Sequence, residues 1–537
     1  GYNDDIDHQL FPADTPREDF QRIMLKPGAS DNYPFENGGA HIRDAFVHTL
    51  SIRADMLLDE RTWRPAVVYL NGQYWGVYEI REKADDHDYT EYYYDQDKFN
   101  LQYLKTWGGT WEEYGAPNSQ SDWDALVAFI MSNNMGPGPD WTYVKSQLKW
   151  ASLCDYFMFN SYVVNQDWLN WNTAWFRGMD PLGSKKKWRY TLWDMDATFG
   201  HYVNYTGIPD ATANADPCNA ENLPNPGGQG HTDILEKLIA ENPVVEQYYV
   251  SRYIDLVNTH FSCAYMNQLL DSMLLEIAPE MPGQVAKWGG SMATWNNNVQ
   301  NLKDFLNARC IALNTGLVDC YNLLGPYDIT FEVAPPLSGN IKVNSIWLDT
   351  YPFTGNYFGG IDMAVLNAGI FPPAHKVSEL PFKEWRSIFS INLDANFNLL
   401  RLIYPILKLA PNSGRVVFIG SKNVPAPGPG AAAYSASKAA LNQLMRVLSM
   451  EWGEDGIRLN TVHPNAVFDT GIWTEEVLKS RAENYGLSVD EYKSNNLLKI
   501  EISSFDVSEL AAEMCGPLFS RTTSAQVPVD GGNERVI

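Results

Sequence analysis

Apolar residues recur at helical spacing in four stretches of the first two thirds of the chain. The stretches are residues 38–58, 121–133 with an N-capping Ser121, 150–164, and a run of helices over 231–323. Residues 64–83 instead show β-branched and aromatic runs on either side of Asn71-Gly72, which is the strongest short signal for a β-hairpin turn. The pattern predicts an α+β fold for this part of the chain.

The pattern changes twice after the helical region. Residues 324–360 carry short β-type runs between Gly and Pro turns, so we predict a small antiparallel β module there. From Ile361 onward, continuous apolar runs alternate with helical patterns, which is typical of buried parallel strands in an α/β domain. We therefore expect domains over 1–323, 324–360 and 361–537.

Charge and hydropathy exclude two classes of partner. The 537 residues carry 65 acidic and 40 basic side chains, a formal net charge of −25. Nucleic acid and anionic membranes require clustered Lys and Arg, so we expect neither as the main partner. No run of 18 apolar residues occurs, and no membrane span is predicted. The oligomeric state is left open.

Tryptophan and cysteine are concentrated in the first 360 residues, which hold 15 of the 18 Trp and five of the six Cys. This composition is compatible with a secreted module. Cys310 and Cys320 are candidates for a bridge between neighbouring turns. Cys154 lies inside an apolar helix, where a buried free thiol is an equally good interpretation.

Two groups of polar residues follow the apolar helix over 150–164. Asp167 precedes Asn172 by five residues, and Asp194 and Asp196 follow about one hairpin later. Phosphoryl transfer uses one carboxylate to orient and deprotonate the attacking hydroxyl, and further oxygen ligands to hold Mg²⁺ on the nucleotide phosphates. The order of these residues therefore favours phosphoryl transfer.

These residues, together with the NGQYWGVYEIREK hairpin and the WDMDATFG segment, resemble the CotH-type atypical kinases over roughly residues 1–360. The resemblance implies a two-lobed, kinase-like fold that uses ATP and Mg²⁺ to phosphorylate Ser or Thr of a Ser-rich protein. It implies Asp167 as the catalytic carboxylate and Asn172, Asp194 and Asp196 as metal-side residues. Lys105 and Glu82 are our candidates for the phosphate-pairing lysine and its acidic partner.

One sequence feature of the CotH family is not found in this chain. We find no early strand with the Gly-, Ser- and Lys-containing signature that family members carry, so we expect a kinase module without its first strands. The resemblance favours secretion or display on the cell surface.

A second set of motifs occupies residues 361–537. Ser421 precedes Tyr434 by 13 residues, and Lys438 follows Tyr434 by four, so Tyr434 and Lys438 share one helix face. An adjacent ammonium lowers the pKa of a tyrosine, and a Ser hydroxyl polarises a substrate oxygen. This arrangement is suited to proton transfer at a substrate oxygen.

This set of motifs resembles the short-chain dehydrogenases. Its sequence segments are most similar to the dehydrogenase part of bifunctional rhamnulose-phosphate aldolase/lactaldehyde dehydrogenases. The resemblance implies NAD(P)-dependent hydride transfer with a small hydroxy-aldehyde or alcohol, and a cytoplasmic protein. It implies a catalytic tetrad of Asn392, Ser421, Tyr434 and Lys438. It also implies cofactor contacts at Asn367 and Gly369.

The front half of a dinucleotide-binding fold does not fit before residue 361. Its Gly-rich turn belongs to a βαβ unit of about 30 residues, and the only near match, residues 354–360, fits a turn of the β module better. We therefore predict a partial Rossmann-like parallel sheet without its first three strands. NAD(P) would bind only if the missing half were supplied. A join of two unrelated, truncated modules near residue 360 is a further hypothesis, and in that case both sites could be inactive.

Overall fold

The structure, a computed structural model, describes residues 6–333, 340–358, 361–371, 375–410, 413–471 and 473–532, without the side chains of residues 480, 481, 484 and 485. The chain forms two compact units, Gly1–Asn356 and Tyr357–Ile537. Each unit is described by itself below.

Within its described residues, the first unit combines short strands with ten α-helices. Its strands are β1 (Ile6–Asp7), β2 (Asp19–Phe20), β3 (Met24–Lys26), β4 (Arg64–Leu70), β5 (Gln73–Arg81), β6 (Leu101–Trp107), β7 (Gly109–Glu112), β8 (Thr173–Gly178), β9 (Arg189–Leu192), β10 (Tyr327–Phe331), β11 (Lys342–Val343), β12 (Ile346–Trp347) and β13 (Phe353–Tyr357). Its helices are α1 (Arg43–Arg53), α2 (His87–Tyr94), α3 (Ser119–Ser132), α4 (Pro139–Gln147), α5 (Trp150–Tyr162), α6 (His231–Glu241), α7 (Pro243–Asn258), α8 (Cys263–Ile277), α9 (Met281–Trp288) and α10 (Met292–Tyr321).

Two antiparallel sheets position the candidate site. The first has the order β3-β5-β4, and the second has the order β7-β6-β8-β9. The predicted hairpin is confirmed, because β4 and β5 pair across Asn71 and Gly72, which both have positive φ. The division into two kinase-like lobes stays a prediction.

Helix α5 forms the centre of the first unit. Eleven of its 13 residues are buried, among them Tyr156, Phe157 and Phe159. A helix that is apolar on all sides is stable only inside a core, and aromatic side chains surround this one. Tyr156 stacks on Tyr190, and Phe157 packs edge-on against Trp168. The helix thereby fixes the loop that follows it.

Two disulfides join elements that are distant in sequence. Cys218 is bonded to Cys320, and Cys263 is bonded to Cys310. The predicted Cys310–Cys320 bridge is therefore wrong. Both residues lie on α10, ten positions apart, and ten residues of helix span about 15 Å, which no disulfide can bridge. Cys154 is a buried free thiol, as one of the two interpretations predicted.

The predicted β module contains two small sheets, β10 with β13 and β11 with β12. Residues 353–357 of this module form strand β13 rather than a turn, which corrects our interpretation of the Gly-containing segment that starts at Thr354. The correction follows from the aromatic Phe353 and Tyr357, which suit a strand. Gly359 and Gly360 lie outside the described residues.

The second unit is an α/β domain. Its elements are β14 (Met363–Leu366), α11 (Phe382–Phe389), α12 (Ala395–Leu407), β15 (Arg415–Ile419), α13 (Ala432–Glu451), β16 (Arg458–Pro464), α14 (Glu475–Tyr485), α15 (Val489–Lys493), α16 (Ser504–Cys515) and β17 (Gln526–Val529). The strands form one parallel sheet in the order β14-β15-β16-β17.

Helices cover both faces of this parallel sheet. Val416 and Phe418 of β15 pack with α12 and α13, whereas Val417 packs with α16. Alternation of this kind follows from the strand period of two. Among the described residues, β14 pairs only with β15, and its Met363 and Val365 are 38% and 50% exposed. An apolar edge strand of this kind is expected where the preceding strands of a parallel sheet are missing.

Candidate active site

The loop after α5 holds Asp167 and Asn172 together. The Asn172 Nδ2 group donates a hydrogen bond to Asp167 Oδ2 over 2.9 Å, and Asn165 Oδ1 accepts from the Asp167 backbone N–H over 3.0 Å. Asn172 has a φ of 43°, a left-handed conformation that Asn tolerates better than most residues. The second Asp167 oxygen, Oδ1, is buried and has no hydrogen-bond partner. It is therefore available to a ligand.

The segment after β9 places Asp194 and Asp196 in different environments. The Asp194 side chain is 33% exposed, whereas that of Asp196 is 2% exposed. Asp196 Oδ2 accepts a hydrogen bond from the Ser30 backbone N–H over 2.8 Å. The two carboxylates therefore have different roles: Asp194 faces the site, and Asp196 anchors the loop at Ser30.

Lys26, at the end of β3, meets these carboxylates. Its Nζ lies 2.5 Å from Asp194 Oδ1, 3.0 Å from Asp44 Oδ2 and 3.9 Å from Asp196 Oδ2. Burial opposes the charged lysine, but the carboxylates of Asp194 and Asp44 raise its pKa above the usual value. Lys26 is therefore a charged group at the centre of the site.

Lys26 belongs to an early strand that the sequence pattern did not predict. Strand β3 ends at Lys26 and pairs with β5, and Gly28 and Ser30 follow in the turn. Gly28 has a φ of 88°, which favours glycine. We missed the strand because three residues are too few to show a period of two.

Burial and like charge raise the pKa values of two carboxyls at the site, those of Asp167 and Asp196. Burial raises the pKa of Asp167 to about 6, and the nearby charge of Asp194 adds to the effect. Burial also raises the pKa of Asp196 to about 8, with Asp194 and Asp44 adding to it and Lys26 opposing it. At neutral pH, Asp167 is thus ionised and close to its pKa, as general-base catalysis requires.

A buried ion network supports Lys26 from the β3-β5-β4 sheet. Arg81 Nη1 contacts Asp44 Oδ2 at 2.7 Å and Glu79 Oε2 at 2.9 Å. Burial opposes ionisation of Asp44, yet Lys26 and Arg81 hold its pKa well below the usual value. Asp44 Oδ1 also accepts from the backbone N–H of Met195 over 2.5 Å. Asp44 therefore ties helix α1 to the segment that carries Asp194 and Asp196.

The structure does not bring Lys105 and Glu82 together. Lys105, which lies within β6 rather than after a strand, has its Nζ 2.9 Å from Asp85 Oδ2 and 3.2 Å from Glu113 Oε1. Glu82 instead contacts Arg17 Nη1 at 3.1 Å. The lysine that contacts Asp194 is Lys26. Residue spacing along the chain did not show which lysine would meet the acidic residues after β9.

The oxygen atoms at the site fit Mg²⁺. Asp167 Oδ1 lacks a partner and Asp194 is partly exposed, and the charge of Asp194 reaches Asp167. Among the described residues, no group of three or more His, Cys, Asp or Glu side chains is arranged to hold a metal ion. Mg²⁺ does not need one, since it is usually bound by one or two carboxylates, waters and substrate phosphates.

A second polar cluster lies at the carboxyl ends of β14 and β15. Lys438 Nζ donates to the Ile419 carbonyl over 2.8 Å, and burial lowers its pKa to about 8. Burial raises the pKa of Tyr434, and a side-chain hydrogen bond with Ser421 opposes that increase. The Ser421 hydroxyl is therefore close enough to Tyr434 to influence its pKa.

Asn392 and Gly369 complete this second cluster. Asn392 Nδ2 donates to the Ile370 carbonyl over 3.1 Å and to Ser437 Oγ over 3.0 Å. A Cβ atom on Gly369 would lie 3.2 Å from Lys438 Nζ and 3.4 Å from Asn392 Oδ1, so a side chain there would crowd both. Asn367 is exposed just beyond β14.

The described residues do not fit a complete dinucleotide site. Pyrophosphate binding in such folds uses a Gly-rich turn between a first strand and its helix. In the described part of 361–532, the sheet begins at β14, with Asn367 and Gly369 beyond it, and no such turn precedes it. The polar cluster around Tyr434 is present without a pyrophosphate site.

Comparison with known proteins assigns both parts of the chain. The family model described as CotH kinase protein matches residues 18–313, and the model described as short chain dehydrogenase matches residues 336–480. The latter match begins earlier than residue 361, where we expected the second domain to start. In the described parts of the chain, no helix has the length and apolar character needed to cross a bilayer.

Curated relatives match the C-terminal part. An uncharacterized oxidoreductase of Bacillus subtilis is 34% identical over 180 residues, which are 33% of this chain and 26% of the relative. An uncharacterized NAD-dependent oxidoreductase of Mycobacterium tuberculosis is 31% identical over 33% of this chain and 63% of its own length. The chain thus spans less than two thirds of either relative.

Among solved structures, a short chain dehydrogenase family protein from Francisella tularensis is 23% identical, with a TM-score of 0.29, and the match covers 32% of this chain and 70% of that one. The two family models show that both a CotH domain and a short-chain dehydrogenase domain are present. The CotH kinase protein model matches more than half of the chain, so the chain belongs to the CotH kinase protein family.

Proposed function

We propose that the chain transfers the γ-phosphoryl group of ATP to Ser or Thr hydroxyls of a protein. The observation that carries the proposal is the meeting of Lys26 with Asp194, beside an Asp167 oxygen that lacks a partner. A lysine, an exposed carboxylate and a general base are the groups that phosphoryl transfer requires.

Each of these residues has a distinct task in the proposed reaction. Asp167 accepts the proton of the acceptor hydroxyl while the hydroxyl oxygen attacks the γ-phosphorus. The bond from that phosphorus to the oxygen that bridges it to the β-phosphate breaks, and ADP leaves. Asn172 keeps Asp167 oriented through their 2.9 Å hydrogen bond. Lys26 would contact a phosphate oxygen, and Asp194 would help to hold Mg²⁺. When bound, Mg²⁺ neutralises phosphate charge.

We further propose a secreted or cell-surface protein that acts on a Ser-rich acceptor. Two disulfides support this compartment, since disulfides persist in oxidising environments and are rare in the cytosol. The net charge of −25 again disfavours nucleic acid as a partner.

Asp167→Asn is the direct test of the proposed function. The amide keeps the size of the side chain but cannot accept the hydroxyl proton, so transfer from radiolabelled Mg·ATP to a Ser-rich protein or to the chain itself should fall at least about 100-fold. The matched control is Asp319→Asn, which changes an exposed carboxylate on α10 and should leave transfer within about twofold.

The pH profile gives the same experiment a second readout. Because burial and Asp194 raise the Asp167 pKa to about 6, the carboxylate becomes protonated as the pH falls through 6. Wild-type transfer should decrease there and remain level above pH 7. Equal transfer by Asp167→Asn and wild type would rule out the proposed role of Asp167.

A second candidate function is NAD(P)-dependent oxidation or reduction of a small alcohol or hydroxy-aldehyde by the second unit. The proximity of Ser421 to Tyr434 favours it, and the Mycobacterium tuberculosis relative is named NAD-dependent. We rank it second because the described residues do not supply a pyrophosphate site.

Calorimetry with NAD decides the second candidate. We expect no heat of binding from the full chain up to about millimolar cofactor, since pyrophosphate binding at a helix N-terminus supplies much of the affinity of such folds. Such a result would favour the hypothesis of a joined, partial dehydrogenase module. Saturable NAD binding that is lost in Lys438→Met would instead establish a working cofactor site.

A further inference from the structure

A cavity of about 290 Å³ lies in the first unit, between the segment that follows α1, the aromatic helix α2 and the start of β9. Its walls are apolar on one side, where Met56, Leu57 and Leu58 contribute, and cationic on the other. The cationic side consists of Lys149, which precedes α5, and Lys185 and Arg189. A cationic cavity is unexpected in a chain whose net charge is −25.

Arg189 forms the fixed, buried part of the cationic side. Its Nη2 group donates to Asp59 Oδ1 over 3.1 Å, and its Nε lies 3.0 Å from Asp59 Oδ2. Tyr94 also donates its hydroxyl to Asp59. Two carboxylates also lie in the wall, Asp55 and Asp59. Asp59 is shared between Arg189 and Tyr94, and its charge also acts on Lys185.

The two lysines lack a comparable partner. Among the residues that the structure describes, no carboxylate oxygen lies within 4.0 Å of the Nζ atom of Lys149 or of Lys185. Burial lowers the pKa of both, and mutual repulsion with Arg189 contributes in each case. Lys185 contacts only the ring of Tyr94, at 5.1 Å from its centroid. A bound anion would relieve this repulsion.

We propose that this cavity binds a phosphate group, either as inorganic phosphate or as a phosphate monoester. Two exposed ammonium groups and a buried guanidinium suit a doubly charged oxyanion, whose oxygens accept several charge-assisted hydrogen bonds. The volume exceeds that of one phosphate, and the apolar wall of Met56, Leu57 and Leu58 leaves room for the carbon atoms of a monoester.

The cavity is separate from the candidate active site. Arg189 begins β9, whereas Asp194 follows its other end, and a strand of four residues spans about 10 Å. The proposal therefore does not depend on the proposed kinase activity.

Calorimetric titration of the full chain with sodium phosphate, and separately with O-phosphoserine, tests the proposal. Wild type should bind at least one of them, more weakly at higher ionic strength. The double variant Lys149→Gln/Lys185→Gln should bind at least about tenfold more weakly, because two charge-assisted contacts are lost. The tighter of the two ligands identifies the source of the phosphate group.

Lys186→Gln is the matched control. Lys186 lies in the same turn, and its Nζ donates to the Pro181 carbonyl on the surface, so binding should stay within about twofold of wild type. Phosphate should also raise the melting temperature of wild type and not that of the double variant. Absence of binding by both ligands, or equal binding by wild type and the double variant, overturns the proposal.

Discussion

Lys26→Met is expected to lower phosphoryl transfer about 100- to 1,000-fold and to destabilise the first unit. The methionine side chain is similar in length to that of lysine but lacks the charge that contacts Asp194, Asp44 and Asp196. Loss of one fixed charge at a reacting centre has an effect of this size on rate. Leaving buried carboxylates without their cation costs about 3 kcal/mol, since Arg81 still pairs with Asp44. Transfer assays and denaturant unfolding measure the two effects.

Lys105→Met separates the two candidate phosphate lysines. Lys105 is equally buried, but its partner Asp85 keeps a second cation, Arg61 Nη2, at 2.8 Å. We therefore expect a smaller loss of stability and transfer within about tenfold of wild type. The assignment of Lys26 is wrong if Lys105→Met abolishes transfer while Lys26→Met remains active and folded.

Removing the Cys218–Cys320 disulfide is expected to give the largest loss of stability. The bond closes a loop of 102 residues, and the loop-entropy relation gives about 4.7 kcal/mol for a loop of that length as an upper value. The double variant Cys218→Ala/Cys320→Ala should thus unfold at a clearly lower denaturant concentration than wild type.

The second disulfide provides the comparison. Cys263–Cys310 closes 47 residues, so the same relation gives about 4 kcal/mol, and its double variant should be slightly more stable than the first. Cys154→Ala removes a buried thiol without opening a loop and serves as the packing control. Equal midpoints for wild type and both double variants would show that the disulfides do not contribute to stability.

The pairing of Asp167 with Asn172 was within reach of the sequence, because it depends on residue type and order. Asp167 and Asn172 are five positions apart, so local backbone geometry alone brings them to 2.9 Å. The hairpin at Asn71-Gly72 was predictable for the same reason, since turn chemistry is local. The family resemblances were confirmed by family models that match both parts of the chain.

Lys26 and the disulfide pairs could not be predicted in this way. Lys26 reaches Asp194 across 168 residues, and Cys218 reaches Cys320 across 102. Contacts at such separations depend on how sheets and helices pack, which residue spacing does not show. The available signal for Lys26 was its position before Pro27, Gly28 and Ser30, which predicts a strand end and a turn.

For this protein, the sequence by itself determined residue chemistry, local turns, membership of the CotH kinase protein family and the presence of a short-chain dehydrogenase domain, because each depends on residue type and order along the chain. Only the tertiary structure decided which lysine meets the carboxylates, which cysteines pair, and that three cations and two carboxylates line one cavity. The physical reason is that charge and burial act through space: the carboxylates that hold Lys26 come from helix α1 and from the segment after β9.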